Sequence, residues 1–178
     1  LRESVRRSIG QARAVIAVSE HTRHAIERLT GRTSDVHVVY NGVRRLTPDT
    51  AASTDDWAML REAGIDRPFV LYVGDFNPRK NIAGLVEAVA LCRRSTSMDV
   101  QLVLAGNSER ARDEVRDAVA GAGLDDRHVV LTGRATDRML AALYRHANVF
   151  AQCSLAEGFS MVSVEAMAAD RKSTRLNS

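Results

Sequence analysis

The stretch "YVGDFNPRKNIAGLVEA" (72–88) decides the fold. It continues an apolar run, "FVLYV" (69–73), that stops at Gly74. A short run of Val, Leu and aromatic residues, bounded by turn formers, has the composition of a strand buried on both faces. Past the loop, Ile82, Leu85, Val86, Val89 and Ala90 fall on one face of a helix. The segment therefore reads as strand, tight loop, helix. Pro78 stiffens the loop, and Asn81 stands where it caps the helix. Arg79 and Lys80 are presented where the strand ends, the edge at which open α/β sheets bind ligands.

The same rhythm extends both ways. "AVIAV" (14–18), "VHVVY" (36–40), "VQLVLA" (100–105), "HVVLT" (128–132) and "NVFAQ" (148–152) are further short apolar runs. Amphipathic stretches at 81–94, 109–123 and 136–147 lie between the later ones. Strands alternating with helices predict right-handed crossovers and a Rossmann-like α/β parallel sheet covered on both faces. "NGVRRLTPDTAASTDD" (41–56) breaks the pattern with turn formers and little apolar content, so it reads as a domain boundary. The expected division is the end of one domain at 1–45, a linker at 46–67, a second domain at 68–169 and a polar, aperiodic tail at 170–178.

Composition removes several classes of protein. With 45% hydrophobic and 26% charged residues the chain has globular composition, and no apolar run approaches the roughly 20 residues that span a bilayer. Of 25 basic residues only Lys80 and Lys172 are lysines, so the net charge of +3 reports arginine preference and not a dense basic patch. Aromatics at 4% are too few for a base-stacking surface, so no nucleic-acid partner is expected. Arg2, Arg6, Arg7 and Arg13 read as a solvated helix face. Cys92 and Cys153 read as small buried hydrophobes in a reducing compartment.

The obvious catalytic motifs are absent or weak. "GAGLDDR" (121–127) lacks a third glycine and precedes a strand, so it reads as a helix C-cap. Glu20, His21, His24 and Glu27 have metal-compatible spacing, but exposed polar residues on a helix are far commoner, so no metal site is expected. "CSLAEGFSMVSVEAMA" (153–168) is more informative. It is again strand, loop and helix, with Ser160 as N-cap and Gly158 permitting close backbone approach. The free amides of residues 160–162 would face an anion, with the helix dipole behind them. Glu157 precedes this helix and Glu165 lies about 7 Å along it, so the carboxylates bracket the anion, each suited to sugar hydroxyls.

Taken together, "VIAVSEHTRHAIERL" (15–29), "VHVVYNGV" (36–43), "LYVGDFNPRKNIAGLVEAV" (71–89) and "VVLTGRATDRMLAALYRHANVFAQCSLAEGFSMVSVEAMA" (129–168) resemble the group 1 family of retaining GT-B glycosyltransferases, in order and at family spacing. The resemblance implies an incomplete C-terminal donor domain with a remnant of the N-terminal acceptor domain. It implies Lys80 on the donor diphosphate, Glu157 on the donor sugar, Glu165 on the ribose, and Gly158, Phe159, Ser160, Met161 and Val162 as the phosphate-binding turn. Lys80 and Glu157 are its catalytic candidates, with Gly74 and Arg79 completing the donor set.

Asp75 stands where many relatives carry Arg, leaving Arg79 to supply that charge. Cys153 and Ser160 replace a common Pro and Gly. The expected reaction moves a hexose, with mannose suggested by "PRKN", from a nucleotide diphosphate sugar to a glycan, lipid-linked or small-molecule acceptor. Neither metal nor cofactor is needed.

Expected localisation is cytoplasmic, with peripheral association at the inner face of the plasma membrane. A chain beginning at Leu1 and ending in "DRKSTRLNS" (170–178) reads as a fragment with a non-native tail, inactive alone. The alternatives are a GT-B epimerase or phosphorylase, and a non-catalytic nucleotide-binding or receiver module; the last wants an acidic cluster at the strand ends, where Asp75 stands alone beside Arg79 and Lys80.

Overall fold

The six apolar runs all fold as strands, each paired in parallel with a neighbour. The computed structural model describes residues 2–43, 54–106, 112–169 and 173–175. In chain order the elements are α1 (Arg2–Gln11), β1 (Val15–Ala17), α2 (Glu20–Thr30), β2 (Val36–Val38), α3 (Thr54–Glu62), β3 (Phe69–Val73), a 3-10 turn (Pro78–Lys80), α4 (Ile82–Thr96), β4 (Gln101–Ala105), α5 (Arg112–Gly121), β5 (Val129–Gly133), α6 (Asp137–His146), β6 (Val149–Gln152), α7 (Met161–Ala168) and β7 (Ser173–Arg175). Among them no helix is long and apolar enough to cross a membrane.

The chain divides into two compact units, Leu1–Val43 with Glu157–Met161, and Arg44–Ala156 with Val162–Ser178. In the larger unit a five-stranded parallel sheet has the order β5-β4-β3-β6-β7. Side chains alternate across it, as a pleated strand requires. On one face Tyr72, Leu102, Leu104 and Val129 pack with Leu85, Val86 and Val89 of α4 and Val115 and Val119 of α5. On the other, Phe69, Leu71, Val103 and Phe150 pack with Leu60 of α3, Leu143 and Tyr144 of α6, and Ala166 of α7. The result is a three-layer α/β/α arrangement.

The smaller unit pairs β1 with β2, sets α2 beside them and packs α1 on α2. Arg32 fastens α1: its guanidinium donates to the carbonyls of Ile9 and Ala12 at the end of that helix, at 2.7 Å each, and to the Ser34 carbonyl of its own loop at 3.0 Å. On α1 the side chains of residues 3–8 are exposed, as a solvated face requires.

Four readings change. The span 46–67 is not all linker: residues 54–62 are helical, and Leu60 and Ile65 are fully buried against the sheet. Residues 46–53 of that span lie outside the described residues, as do the first residues of the stretch read as helix 109–123. Cys153 is buried but Cys92 is exposed on α4. In the span read as an aperiodic tail, residues 173–175 pair with Phe150–Gln152, because ladder pairing uses backbone groups and needs no apolar pattern. Asn81 does occupy the N-cap position of α4, but in the left-handed conformation (φ 53°) and without a side-chain cap bond, while Asn77 caps the inserted 3-10 turn by accepting from the Arg79 amide. The glycine reading of "GAGLDDR" holds, with Gly123 at φ +73° closing α5.

Candidate functional site

Topology selects the place. Counted within the larger unit, the strand order is 3-2-1-4-5, which reverses between β3 and β6. Connections leave these neighbours on opposite faces, so a crevice opens beyond their carboxyl ends, the position where open α/β sheets take ligands. Receiver modules share the flavodoxin order 2-1-3-4-5, so the receiver alternative does not fit. Nor does an acidic cluster form: Asp75 is exposed and accepts from Asn77 at 3.2 Å, and the described residues contain no group of three metal-ligating side chains. On α2, Arg23 bridges Glu20 and Glu27, each at 2.7 Å, which accounts for those carboxylates without a metal.

The loops on either side of the crevice are tied together. The Leu155 amide donates to the Arg79 carbonyl at 2.8 Å, and the Arg79 guanidinium donates to the Ala156 carbonyl at 2.7 Å. The buried Cys153 thiol donates to the Asn81 carbonyl at 3.1 Å, and burial pushes its pKa up. It is a neutral stitch between loops and not a nucleophile. Tyr72 reaches up from β3 and donates to the Asp75 carbonyl at 2.7 Å. Together these contacts hold Arg79 and Lys80 on a rigid turn.

The start of α7 is braced in the same unit. Ser163 donates to Gln152 at the end of β6. The Tyr144 hydroxyl lies 3.1 Å from a Glu165 carboxylate oxygen and 3.3 Å from the Val162 carbonyl. Glu165 therefore has the partner that a half-buried carboxylate needs, and one of its oxygens is oriented by it. Burial, with the Glu165 charge adding, pushes the Tyr144 phenol far above its ordinary value. A free tyrosine ionises near pH 10. In the unfolded chain Tyr144 would release its proton there, while the folded chain retains it. This group's contribution is therefore complete below about pH 10 and declines above it. Tyr144→Phe is expected to flatten the alkaline limb of a stability–pH profile measured by urea titration. An unchanged slope would show that other groups govern it.

Residues 157–161 pack with the smaller unit. Ser19, the N-cap of α2, donates to the Gly158 carbonyl at 2.5 Å, and the Tyr40 and Phe159 rings lie 6.3 Å apart. A Cβ at Gly158 would meet Thr22 Oγ1 at 3.2 Å, so the helix cap already uses the space that glycine leaves. The candidate residues thus fall into two groups: Gly74, Arg79, Lys80, Val162 and Glu165 in the larger unit, and Glu157, Gly158, Phe159, Ser160 and Met161 in the smaller. Sequence reasoning missed Tyr144, Gln152 and Ser19, which act across long separations that no local pattern encodes.

Cavities agree in part with topology. One of about 220 Å³ lies beside the first loop, lined by Phe76, Pro78, Asn81, Ile82 and Glu114 among others. A larger one, about 570 Å³, opens at the opposite edge of the sheet among Arg93, Arg94, Gly121, Leu124 and His128. Size favours the second, but the position of the switch point favours the first edge.

Comparison with known proteins gives the family and the fold. Residues 67–172 match the family model described as glycosyl transferases group 1. O-antigen chain mannosyltransferase B of Escherichia coli is 28% identical over 176 residues, covering 94% of this chain and 44% of its own length. Alpha-maltose-1-phosphate synthase of Mycolicibacterium smegmatis is 33% identical over 92% of this chain and 43% of its own. Among solved structures, Anabaena HepE in complex with UDP and glucose shares the fold at a TM-score of 0.80 and 24% identity, over 98% of this chain and 48% of that one. The chain spans less than half the length of these proteins.

Proposed function

The chain belongs to the group 1 glycosyl transferases, and on that premise we propose that it is the donor-binding part of an enzyme transferring a hexose from a nucleotide diphosphate sugar, with retention of configuration. The observation that carries the proposal is the pair of loops at the β3/β6 switch point, fastened to each other through Arg79. A mannosyltransferase among the relatives favours mannose as the sugar. The acceptor is a glycan, a lipid-linked sugar or a small molecule, met in the cytoplasm or by peripheral association with the inner membrane face.

The chemistry asks most of the leaving group. As the glycosidic carbon gains oxocarbenium character, the nucleoside diphosphate departs with negative charge. Lys80 offers a positive charge and the amides from Gly158 to Val162 offer N–H donors to it, which suits a transition state in which charge develops. Gly74 opens the loop, its missing side chain leaving room for the Tyr72 hydroxyl, and the Arg79 charge lies near the diphosphate while its Nη1 holds the neighbouring loop. Glu157 accepts from donor-sugar hydroxyls. Glu165, aligned by Tyr144, accepts from the ribose. Neutralisation by Lys80 and amides needs no metal ion.

Lys80→Ala removes a charged partner of the diphosphate. A hydrogen bond to a charged group is worth about 1.5–3 kcal/mol, so UDP or GDP affinity should fall by roughly 10- to 100-fold. Calorimetric titration of both nucleotides against the two proteins measures this. Equal dissociation constants would remove Lys80 from the site.

A further inference from the structure

We infer that Ser19 is a positioning residue for donor binding, acting through the peptide between Gly158 and Phe159. This rests on the donor reading above. Ser19 has extended backbone (φ −163°) at the head of α2 and does two things at once. Its oxygen accepts from the Thr22 amide at 3.1 Å, which caps the helix. Its single proton goes to the Gly158 carbonyl at 2.5 Å, the shorter of the two acceptor distances open to it, the other being Thr22 Oγ1 at 3.1 Å.

The second bond fixes more than an oxygen. Among the described residues no peptide is cis, and in a planar trans peptide the carbonyl and the following N–H point in opposite directions. Holding the Gly158 carbonyl on α2 therefore aims the Phe159 amide away from α2. That amide belongs to the turn proposed to receive the diphosphate, and an unanchored peptide unit could rotate and present its carbonyl instead. Thr22 Oγ1, 3.4 Å from the same carbonyl, closes the other side, and the absent side chain of Gly158 leaves room for it. Ser19 does not touch the donor in this scheme; it sets the direction of a group that does.

The cap and the anchor can be separated by substitution. Ser19→Asp keeps a good cap acceptor at a helix N-terminus but has no proton to donate at neutral pH. Ser19→Thr keeps both. In the full chain, Ser19→Asp is expected to melt at or above the temperature of the unsubstituted protein and yet bind UDP and GDP roughly five- to tenfold more weakly, the net value of one hydrogen bond. Without ligand, its Phe159 amide resonance is expected to move while that of Ser19→Thr stays, and Ser19→Thr retains affinity. Unchanged nucleotide affinity in Ser19→Asp would overturn the positioning role alone. If the unsubstituted chain binds neither nucleotide, the donor reading fails and takes this inference with it.

Discussion

Asp56→Ala is expected to destabilise the larger unit by about 3–5 kcal/mol, the range for removing one partner of a buried ion pair. The Asp56 side chain is only 8% exposed. It bonds to the Arg145 guanidinium and lies 3.3 Å from His146 Nε2. Asp56 sits in the first turn of α3, and Arg145 and His146 in the last turn of α6, so each charge also meets the favourable end of its own helix. The Trp57 ring closes the site at 4.6 Å from the His146 ring. Removing Asp56 leaves Arg145 half enclosed with its counter-charge gone. The neighbouring pair, Asp55 with Arg138 at 3.9 Å, is exposed on both sides, and Arg138→Ala is expected to change stability by less than about 1 kcal/mol. Urea titration followed by circular dichroism measures both. Similar small losses would mean that α3 is not fastened to α6 through this cluster.

Gly106→Ala is the second large effect, and it reaches the site. A Cβ at Gly106 would lie 1.7 Å from the Gly74 carbonyl oxygen, which is backbone and cannot rotate away. The strand ends are locked there, with the Gly74 amide on the Ala105 carbonyl at 3.0 Å and the Gly106 amide on the Gly133 carbonyl at 2.9 Å. Adding a methyl group must drive β3 and β4 apart where the Arg79–Lys80 loop begins. The expected loss is about 3 kcal/mol or more, at the upper end of overpacking effects. Nucleotide affinity should fall with it. Gly121→Ala is the contrast: nothing lies within 4 Å of its Cβ position and it is helical, so a gain of about 0.5–1 kcal/mol is expected. Equal effects at the two glycines would show that the Gly74–Gly106 approach does not constrain the fold.

Much of this architecture is legible in the sequence because burial on both faces leaves a strong mark. The runs at 69–73, 100–105, 128–132 and 148–152 differ from the observed strands by a residue or so at the ends. Helix α3 hides because turn formers precede it and its core contacts come from few residues, Leu60 chief among them. Strand β7 hides because it is polar. The two loops of the candidate site stand out through Pro, Gly and paired charges close in sequence. What holds them is another matter. Tyr144 meets Glu165 across 21 residues and Ser19 meets Gly158 across 139, and each looks locally like an ordinary core tyrosine or helix cap. Gln101 shows the same blindness in the core. It is 1% exposed, yet it donates to the Gly64 and Arg127 carbonyls at 3.0 Å each and accepts from the Asp66 amide at 3.1 Å. Only the folded chain supplies those partners.

The most direct test of the donor site is an amide-by-amide NMR titration of the chain with UDP and with GDP. Saturable shifts are expected at residues 74–81 and 158–162, beyond the carboxyl ends of β3 and β6, with Arg93, Arg94 and His128 at the opposite edge unmoved. Shifts confined to that opposite edge, or none with either nucleotide, would contradict it.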